Sequence, residues 1–144
     1  MGGNDFPELV WWQLARGLKL HVLPFAERPA VLRDFKFRGP LIDAASSATR
    51  NIAEGFGRYD HKEFALFMKF ALGSESETRD NLIDVFDKKY VTQEEMDAGL
   101  KLAKRAIAAG TKFRHYAPKL VHASTVAPSH VRRGAATAAA RDPL

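Results

Sequence analysis

The sequence contains no cysteine among its 144 residues, which excludes disulfides, thiolate nucleophiles and thiolate metal ligands. It has no apolar run close to the ~20 residues that a membrane-spanning helix needs. Its first residues also lack the basic and then apolar pattern of a secretory signal. These absences predict a cytoplasmic protein with no membrane contact, and the length predicts one domain.

Patterns of catalytic and metal-binding residues are missing as well. No Glu-x-x-His pair is present, although a metal site inside a helical bundle would need such pairs. His115, His122 and His130 cluster around and beyond a predicted helix end, which favours solvent-exposed histidines in a basic tail over the alternative of a loose metal site. There is no glycine-rich phosphate loop, and serines 46, 47, 74 and 76, which lie within predicted helices, have no neighbouring histidine to activate them. We therefore predict no enzymatic activity, no cofactor, no metal and no small-molecule substrate.

Four amphipathic segments instead predict an all-α protein. They run from about Pro7 to Phe25, from Pro40 to Glu54, from Asp60 to about Lys89, and from Thr92 to about Tyr116. Asp60 and Thr92 each stand three residues before a glutamate, as the first residue of a capping box does. Glycines 55 and 57 predict a left-handed cap on the second helix, and Pro118 predicts the end of the fourth. Residues 30–39 are compatible with a turn or a short helix.

Short loops between these segments favour antiparallel neighbours, so residues 1–118 are expected to form an up-down four-helix bundle. Residues 119–144 are basic and rich in Ala and Pro, which predicts a flexible tail. The third and fourth helices each carry a second apolar stripe, which predicts a subunit interface and a ring-like homo-oligomer. The residues expected at this interface are Trp11, Trp12, Leu72, Leu102 and Phe113.

The net charge of +5 is divided unevenly along the chain. Residues 101–144 contain nine Lys or Arg and one acid, whereas residues 1–100 contain 13 basic and 16 acidic residues. Lys101, Lys104, Arg105, Lys112 and His115 fall within an arc of ~100° on the predicted fourth helix. This arc, together with Arg132 and Arg133, is a candidate contact for the phosphates of RNA or DNA. A solvated helix face with cations favoured by the helix dipole is the alternative.

Three polar residues stand out for structural reasons. Glu75 falls on the apolar stripe of the third helix, where we expect a polar layer in which it pairs with Arg50, Arg79 or His21, or a position near water. A proton-linked or partner-binding role is the alternative. Asn51 and Glu54 lie at a helix end followed by glycines, and they are expected to hold the turn through hydrogen bonds to backbone amides. A contact with a partner is the alternative for these two residues.

The block Asn51-Ile-Ala-Glu-Gly-Phe-Gly-Arg58, with Lys62-Glu63-Phe64 and Ala71-Leu-Gly-Ser74, resembles a known family. These segments are similar to the bacterial proteins encoded by intervening sequences of 23S rRNA genes, whose relatives include the accessory variability proteins of diversity-generating retroelements. The opening Phe6-Pro-Glu-Leu-Val-Trp-Trp-Gln-Leu-Ala15 also resembles the start of that family. The resemblance covers roughly residues 6–116. It implies an up-down four-helix protomer, a homopentamer, a role with nucleic acid and no catalysis.

The chain departs from the family pattern at several positions. Ile42 and Asp43 replace two cations of the second helix, and Glu75 and Thr78 replace apolar residues of the third. The loss of the two cations at Ile42 and Asp43 weakens the cationic face that the family presents on its second helix. Two hypotheses follow: an oligomeric protein that binds nucleic acid through its basic fourth helix and tail, or a protein–protein assembly module without nucleic-acid binding.

Overall fold

The computed structural model of the protein describes the backbone of residues 5–124 and the side chains of residues 5–117. Within these residues the protein is all-α, with five helices and no strand. The helices are α1 (Val10–Val22), α2 (Pro29–Arg33), α3 (Phe35–Phe56), α4 (His61–Asp87) and α5 (Gln93–Ser124). Two 3-10 segments, Phe6–Glu8 and Leu23–Glu27, stand on either side of α1. The all-α prediction is confirmed.

The four longer helices enclose a common interior. Helix α1 packs against α3 and α5, and α4 packs against the same two helices. The short α2 packs on α3 and on the second 3-10 segment. Each long helix therefore has two neighbours within the chain, and its remaining surface faces outward.

Both predicted capping boxes mark the start of a helix. The Asp60 carboxylate accepts hydrogen bonds from the amides of Lys62 (2.7 Å) and Glu63 (3.1 Å), which starts α4. At α5 the exchange is reciprocal, because the amide of Glu95 donates to Thr92 Oγ1 (3.2 Å) and the amide of Thr92 donates to Glu95 Oε1 (3.4 Å).

Prolines and glycines shape the helices differently from the sequence-based expectation. Helix α3 begins five residues before Pro40, because a proline so near a helix start removes only one backbone hydrogen bond. Helix α5 continues through Pro118 to Ser124, so the predicted end near Tyr116 is wrong: one lost hydrogen bond does not stop this helix. Gly57 has a φ of −80°, and the predicted left-handed cap there is also wrong. The left-handed residue is Lys89, with a φ of 62° just beyond α4.

The buried apolar side chains form two clusters. The aliphatic cluster lies beside the 23–34 connection and contains Leu18, Val22, Phe25, Ala26, Val31, Leu41, Ala45, Leu82, Val85, Val91 and Ala103. The aromatic cluster contains Trp11, Ala15, Ala48, Ile52, Met68 and Ala71, with half-buried Phe6, Trp12, Phe56, Phe64, Phe67 and Phe113 around them. On α4 the stripe Ala71, Glu75, Thr78 and Leu82 connects the two clusters, so two polar side chains lie between them.

Candidate functional site

The exposed face of α5 carries the cations that the sequence singled out. Lys101, Lys104, Arg105, Lys112 and His115 are all exposed, and we call this set the basic face of α5. At ~100° per residue they lie opposite the buried stripe of the same helix, whose members are Gly99, Ala103, Ala106 and Gly110. Small residues on the inner side bring α5 close to its neighbours. The whole basic face is therefore directed to solvent.

The basic face is ~21 Å long, from the 1.5 Å rise of the 14 residues between Lys101 and His115. None of its five members forms an ion pair within the part of the chain that the structure describes. Glu94 and Asp97 occupy the same arc of α5 nearer to the start of the helix, and both are exposed. The face therefore changes sign from acidic to basic between Asp97 and Lys101.

An additional cation joins the basic face from the neighbouring helix. Arg79 of α4 lines an open groove together with Lys101 and Lys104 of α5. Ile83 and Leu100 supply the apolar part of this groove, and Asp97 also lines it. From its position in the sequence, Arg79 was expected only as a partner of Glu75. A helical wheel of α5 alone could not show that Arg79 lies beside Lys101 and Lys104, because this depends on how α4 and α5 pack together.

The outward face of α4 has the opposite charge. Glu77, Asp80, Asp84 and Asp87 are exposed and fall within an arc of ~80° on that helix. A polyanion near this surface is repelled from the C-terminal half of α4 and attracted to α5. The two helices thus present an acidic and a basic strip on neighbouring faces. Arg132 and Arg133, the other two predicted contacts, lie outside the described residues.

Trp11 does not face a subunit interface, and that prediction is wrong. Its side chain is only 1% exposed, because α1 turns it into the interior against Gly110 of α5 and Phe113. The other four predicted interface residues are half-buried. Trp12 packs edge-on against Phe6, with ring centroids 5.5 Å apart. Leu72, Leu102 and Phe113 retain exposed surface, so their place at an interface stays a prediction.

Glu75 is fully buried, and its partner is none of the three residues proposed from the sequence. Trp11 Nε1 donates a hydrogen bond to Glu75 Oε1 at 2.7 Å, while Oε2 has no hydrogen-bond partner. Arg50 pairs with Asp43, and His21 contacts the carbonyl of Glu95. The expected pairing of Glu75 with Arg50, Arg79 or His21 was wrong, because the α1 side chain that reaches Glu75 is the indole of Trp11 and carries no charge. Burial raises the pKa of Glu75 to about 8, against a smaller lowering by the Trp11 hydrogen bond.

Asn51 and Glu54 do not bond to the amides of the following turn. Asn51 Nδ2 donates to the carbonyl and to the hydroxyl of Ser47, both at 2.9 Å, so it braces α3 internally. Glu54 Oε1 accepts from the Arg58 guanidinium at 2.6 Å, which links α3 to the loop before α4. The expectation failed because a helical residue reaches the residues three and four positions away more easily than the amides beyond its end.

Neither a cluster of metal-ligating side chains nor a membrane-spanning helix is found among the described residues. No group of three or more His, Asp or Glu side chains among them is arranged to hold a metal ion. No helix of the described region is both long enough and apolar enough to cross a membrane. The surface of α5 is therefore the feature of the described chain that carries the clearest chemical signal.

Comparison with known proteins gives one family match. The family of 23S rRNA-intervening sequence proteins matches residues 7–109, which includes α1 to α4 and the first half of α5. A search of curated proteins finds no significant match. The matched range contains the Asn51–Arg58 block and three members of the basic face, namely Lys101, Lys104 and Arg105.

Proposed function

Because the chain belongs to the 23S rRNA-intervening sequence protein family, we propose that it binds nucleic acid through the basic face of α5. In this proposal the protein is cytoplasmic and non-enzymatic, its protomer is an antiparallel up-down four-helix bundle, and several protomers form a ring. The observation that carries the proposal is the exposure of four Lys or Arg side chains and His115 on one face of α5, without an ion-pair partner among the described residues.

Physical chemistry favours a polyanionic partner for such a face. Each Lys or Arg that neutralises a phosphate releases a condensed counterion, so affinity depends on the number of cations that reach the backbone. The face presents three of them within five residues, and Arg79 adds a fourth across the groove from Lys101 and Lys104. The acidic strip on α4 limits the contact to the α5 side.

The helix dipole does not account for the position of these cations. Its effect is confined to the first and last turns of a helix. Lys101, Lys104 and Arg105 are the ninth, twelfth and thirteenth residues of α5, well inside a 32-residue helix. Asp97 stands four residues before Lys101, at the spacing of a helical ion pair, yet the two side chains do not pair. Neither the helix dipole nor an ion pair within the described chain accounts for this cluster, and this supports a contact with an external anion.

A salt series of filter-binding measurements tests the nucleic-acid proposal. The change is the triple charge reversal Lys101→Glu, Lys104→Glu and Arg105→Glu. If each residue contacts one phosphate of a duplex, the slope of log affinity against log salt falls in magnitude by about 2.7. The thermal unfolding midpoint is expected to stay close to that of the wild type, because all three side chains are exposed.

The chain offers a matched control at three other exposed lysines. The variant Lys36→Glu, Lys62→Glu and Lys69→Glu changes the net charge by the same amount at positions away from the basic face. It is expected to retain the wild-type salt slope. Equal loss in both variants would indicate non-specific attraction to net charge. Absence of any retention of RNA or DNA at low salt would contradict the proposal.

Assembly is tested separately, by light scattering coupled to size exclusion. Family resemblance gives a homopentamer, so the expected mass is about 80 kDa for five chains of 16.0 kDa. Half-buried Leu72, Leu102 and Phe113 and the half-exposed Trp12 are the surfaces that further copies would cover. A 16 kDa species at micromolar concentration would contradict this part of the proposal and leave nucleic-acid binding to be judged by itself.

A protein–protein assembly module is the second candidate, and exposed apolar side chains favour it. Phe35 is 82% exposed at the start of α3, and Phe70 and Leu66 remain 47% and 46% exposed on the outer side of α4. Large apolar side chains in such positions are typical of surfaces that another protein covers. A pull-down after nuclease treatment separates the two candidates. A protein partner that is retained without nucleic acid favours the assembly module, whereas loss of all partners favours nucleic-acid binding.

A further inference from the structure

The carboxyl group of Glu75 has an unusual combination of burial and incomplete hydrogen bonding. Glu75 has no exposed surface, and among the described residues it is the only ionisable side chain that is buried. One oxygen accepts from Trp11 Nε1 at 2.7 Å, and the other has no partner. An ionised carboxylate with a free oxygen in such a place is far more costly than a neutral acid.

No neighbouring charge compensates for the burial. Helix α1 presents the indole of Trp11, and α5 presents Gly110, whose backbone lies directly against that indole. The basic face of α5 is on the opposite side of its helix, directed to solvent. On α3 the cation Arg50 is exposed and paired with Asp43, and on α1 the half-buried His21 contacts the carbonyl of Glu95. Arg79, on α4 itself, is directed into the exposed groove beside Lys101.

The contact between Trp11 and Glu75 joins two helices that do not otherwise pack closely. Helices α1 and α4 lie on opposite sides of the interior, and both pack mainly against α3 and α5. The indole reaches across the interior to the carboxyl, and its ring also fills the space beside Gly110. Loss of this hydrogen bond therefore affects the attachment of α1 to the rest of the chain.

We propose that Glu75 and Trp11 form a proton-controlled latch. The neutral carboxyl leaves the dry interior around Trp11 closed. The ionised carboxyl binds the indole N–H more strongly, but it must draw water to its unpartnered oxygen, and this opens the interior and releases α1 together with Trp11. The latch is independent of the proposed nucleic-acid binding. It rests on the buried carboxyl, its single donor and its unpartnered oxygen. Burial raises the pKa of Glu75 to about 8, from an ordinary value of 4.5. The carboxyl therefore ionises, and the latch opens, as the pH rises through the range around 8.

The sign of the effect follows from proton linkage. The folded chain holds the proton more tightly than the unfolded chain, so unfolding releases a proton at any pH between 4.5 and about 8. Stability from this group is therefore complete below pH 4.5 and declines as the pH rises towards 8. Between pH 6 and pH 8 the unfolding equilibrium constant is expected to rise about 50-fold through Glu75 alone.

The test compares Glu75→Gln with the wild type in full-length chains that also carry Trp12→Phe, so that Trp11 is the only tryptophan. Glutamine keeps the acceptor for Trp11 and cannot ionise. Urea unfolding is followed by tryptophan emission from pH 5.5 to pH 9. We expect the wild-type unfolding constant to rise by about 50-fold more than that of the variant between pH 6 and pH 8. The emission of the native wild type should also shift to longer wavelength above pH 8.

Glu77→Gln is the matched control, because Glu77 is exposed two residues further along α4. It should retain the wild-type pH dependence. Identical pH profiles for the wild type and Glu75→Gln would overturn the proposal. If that variant does not fold, the carbon-13 shift of the Glu75 carboxyl in the wild-type chain gives the answer directly. Titration above pH 7 supports the latch, and titration near pH 4.5 overturns it.

Discussion

Compared with the aliphatic cluster, the aromatic cluster packs rigid rings against a helix backbone. Gly110 of α5 lies so close to Trp11 that an added Cβ would stand 2.6 Å from the indole Nε1. The corresponding glycine at the aliphatic cluster is Gly99, where an added Cβ would meet the two Leu82 methyl groups at 2.8 and 2.9 Å. Methyl groups at the end of a flexible side chain can move aside, whereas a buried indole with a hydrogen bond cannot.

The polar contacts near the aliphatic cluster are partly exposed, whereas the main polar contact at the aromatic cluster is buried. Near the aliphatic cluster, Arg28 pairs with Glu95 and Lys88 pairs with Asp34, and these groups are partly exposed at the edge of the fold. At the aromatic cluster the main polar contact is the buried bond between Trp11 and Glu75. Exposed pairs contribute little to stability, while a buried polar contact is costly to break. The aromatic half should therefore respond more sharply to substitution.

The largest effect is expected for Trp11→Ala. The change removes the central ring of the aromatic cluster and the one donor to Glu75 among the described residues, so it should lower the free energy of unfolding by about 3–5 kcal/mol. Leu82→Ala removes a fully buried side chain from the aliphatic cluster and should cost about 2–4 kcal/mol. Urea denaturation followed by circular dichroism at pH 6 measures both. A smaller loss for Trp11→Ala than for Leu82→Ala would reverse the comparison.

Glycine substitutions test the same contrast with a single methyl group. Gly110→Ala should lower the free energy of unfolding by about 1–3 kcal/mol, because the indole cannot move away. Gly99→Ala should cost less, because Leu82 can change its rotamer. Gly17→Ala on α1 is the control: nothing lies within 4 Å of the added Cβ, so this variant should be more stable by about 0.5–1 kcal/mol. Thermal and urea unfolding rank the three. Equal effects at Gly110 and Gly99 would contradict the argument from rigidity.

The contrast also explains which parts of the fold the sequence could predict. Helix starts at Asp60 and Thr92 depend on residues within one turn, and both side chains cap their helices as predicted. The return bond from the glutamate is formed at Thr92 by Glu95, whereas at Asp60 the Glu63 carboxylate lies near Arg58 instead. The stop expected at Pro118 failed, because one missing amide is outweighed by the rest of a long helix. The role of Gly55 was also misjudged. It allows close packing, since an added Cβ would stand 2.5 Å from Met68 Cε on α4. Contacts between helices are not encoded in local spacing.

In the candidate site, too, features that lie on one helix could be predicted, whereas contacts between helices could not. The basic face of α5 could be predicted because all of its members lie on one helix and share one arc. Arg79 could not, because it joins them only when α4 lies beside α5. The partner of Glu75 was missed for a related reason: it lies 64 residues away on α1, and a cation was expected where a tryptophan indole stands. The position of Glu75 on an apolar stripe predicts from the sequence that its carboxyl is buried. The residue that donates a hydrogen bond to it cannot be predicted in this way.

A loss of stability smaller than those at Trp11, Leu82 and Gly110 is expected at the edge of the aliphatic half, for Thr92→Ala. The threonine hydroxyl accepts from the amide of Glu95 at 3.2 Å, and its loss leaves one amide of the first turn of α5 without its cap. The expected loss is about 1 kcal/mol in the free energy of unfolding. Thr92→Ser keeps the hydroxyl and should change it by only a few tenths. A loss at Thr92→Ala as large as at Gly110→Ala would mean that exposed helix ends matter as much as the packed aromatic interior, and the contrast between the two halves would then fail.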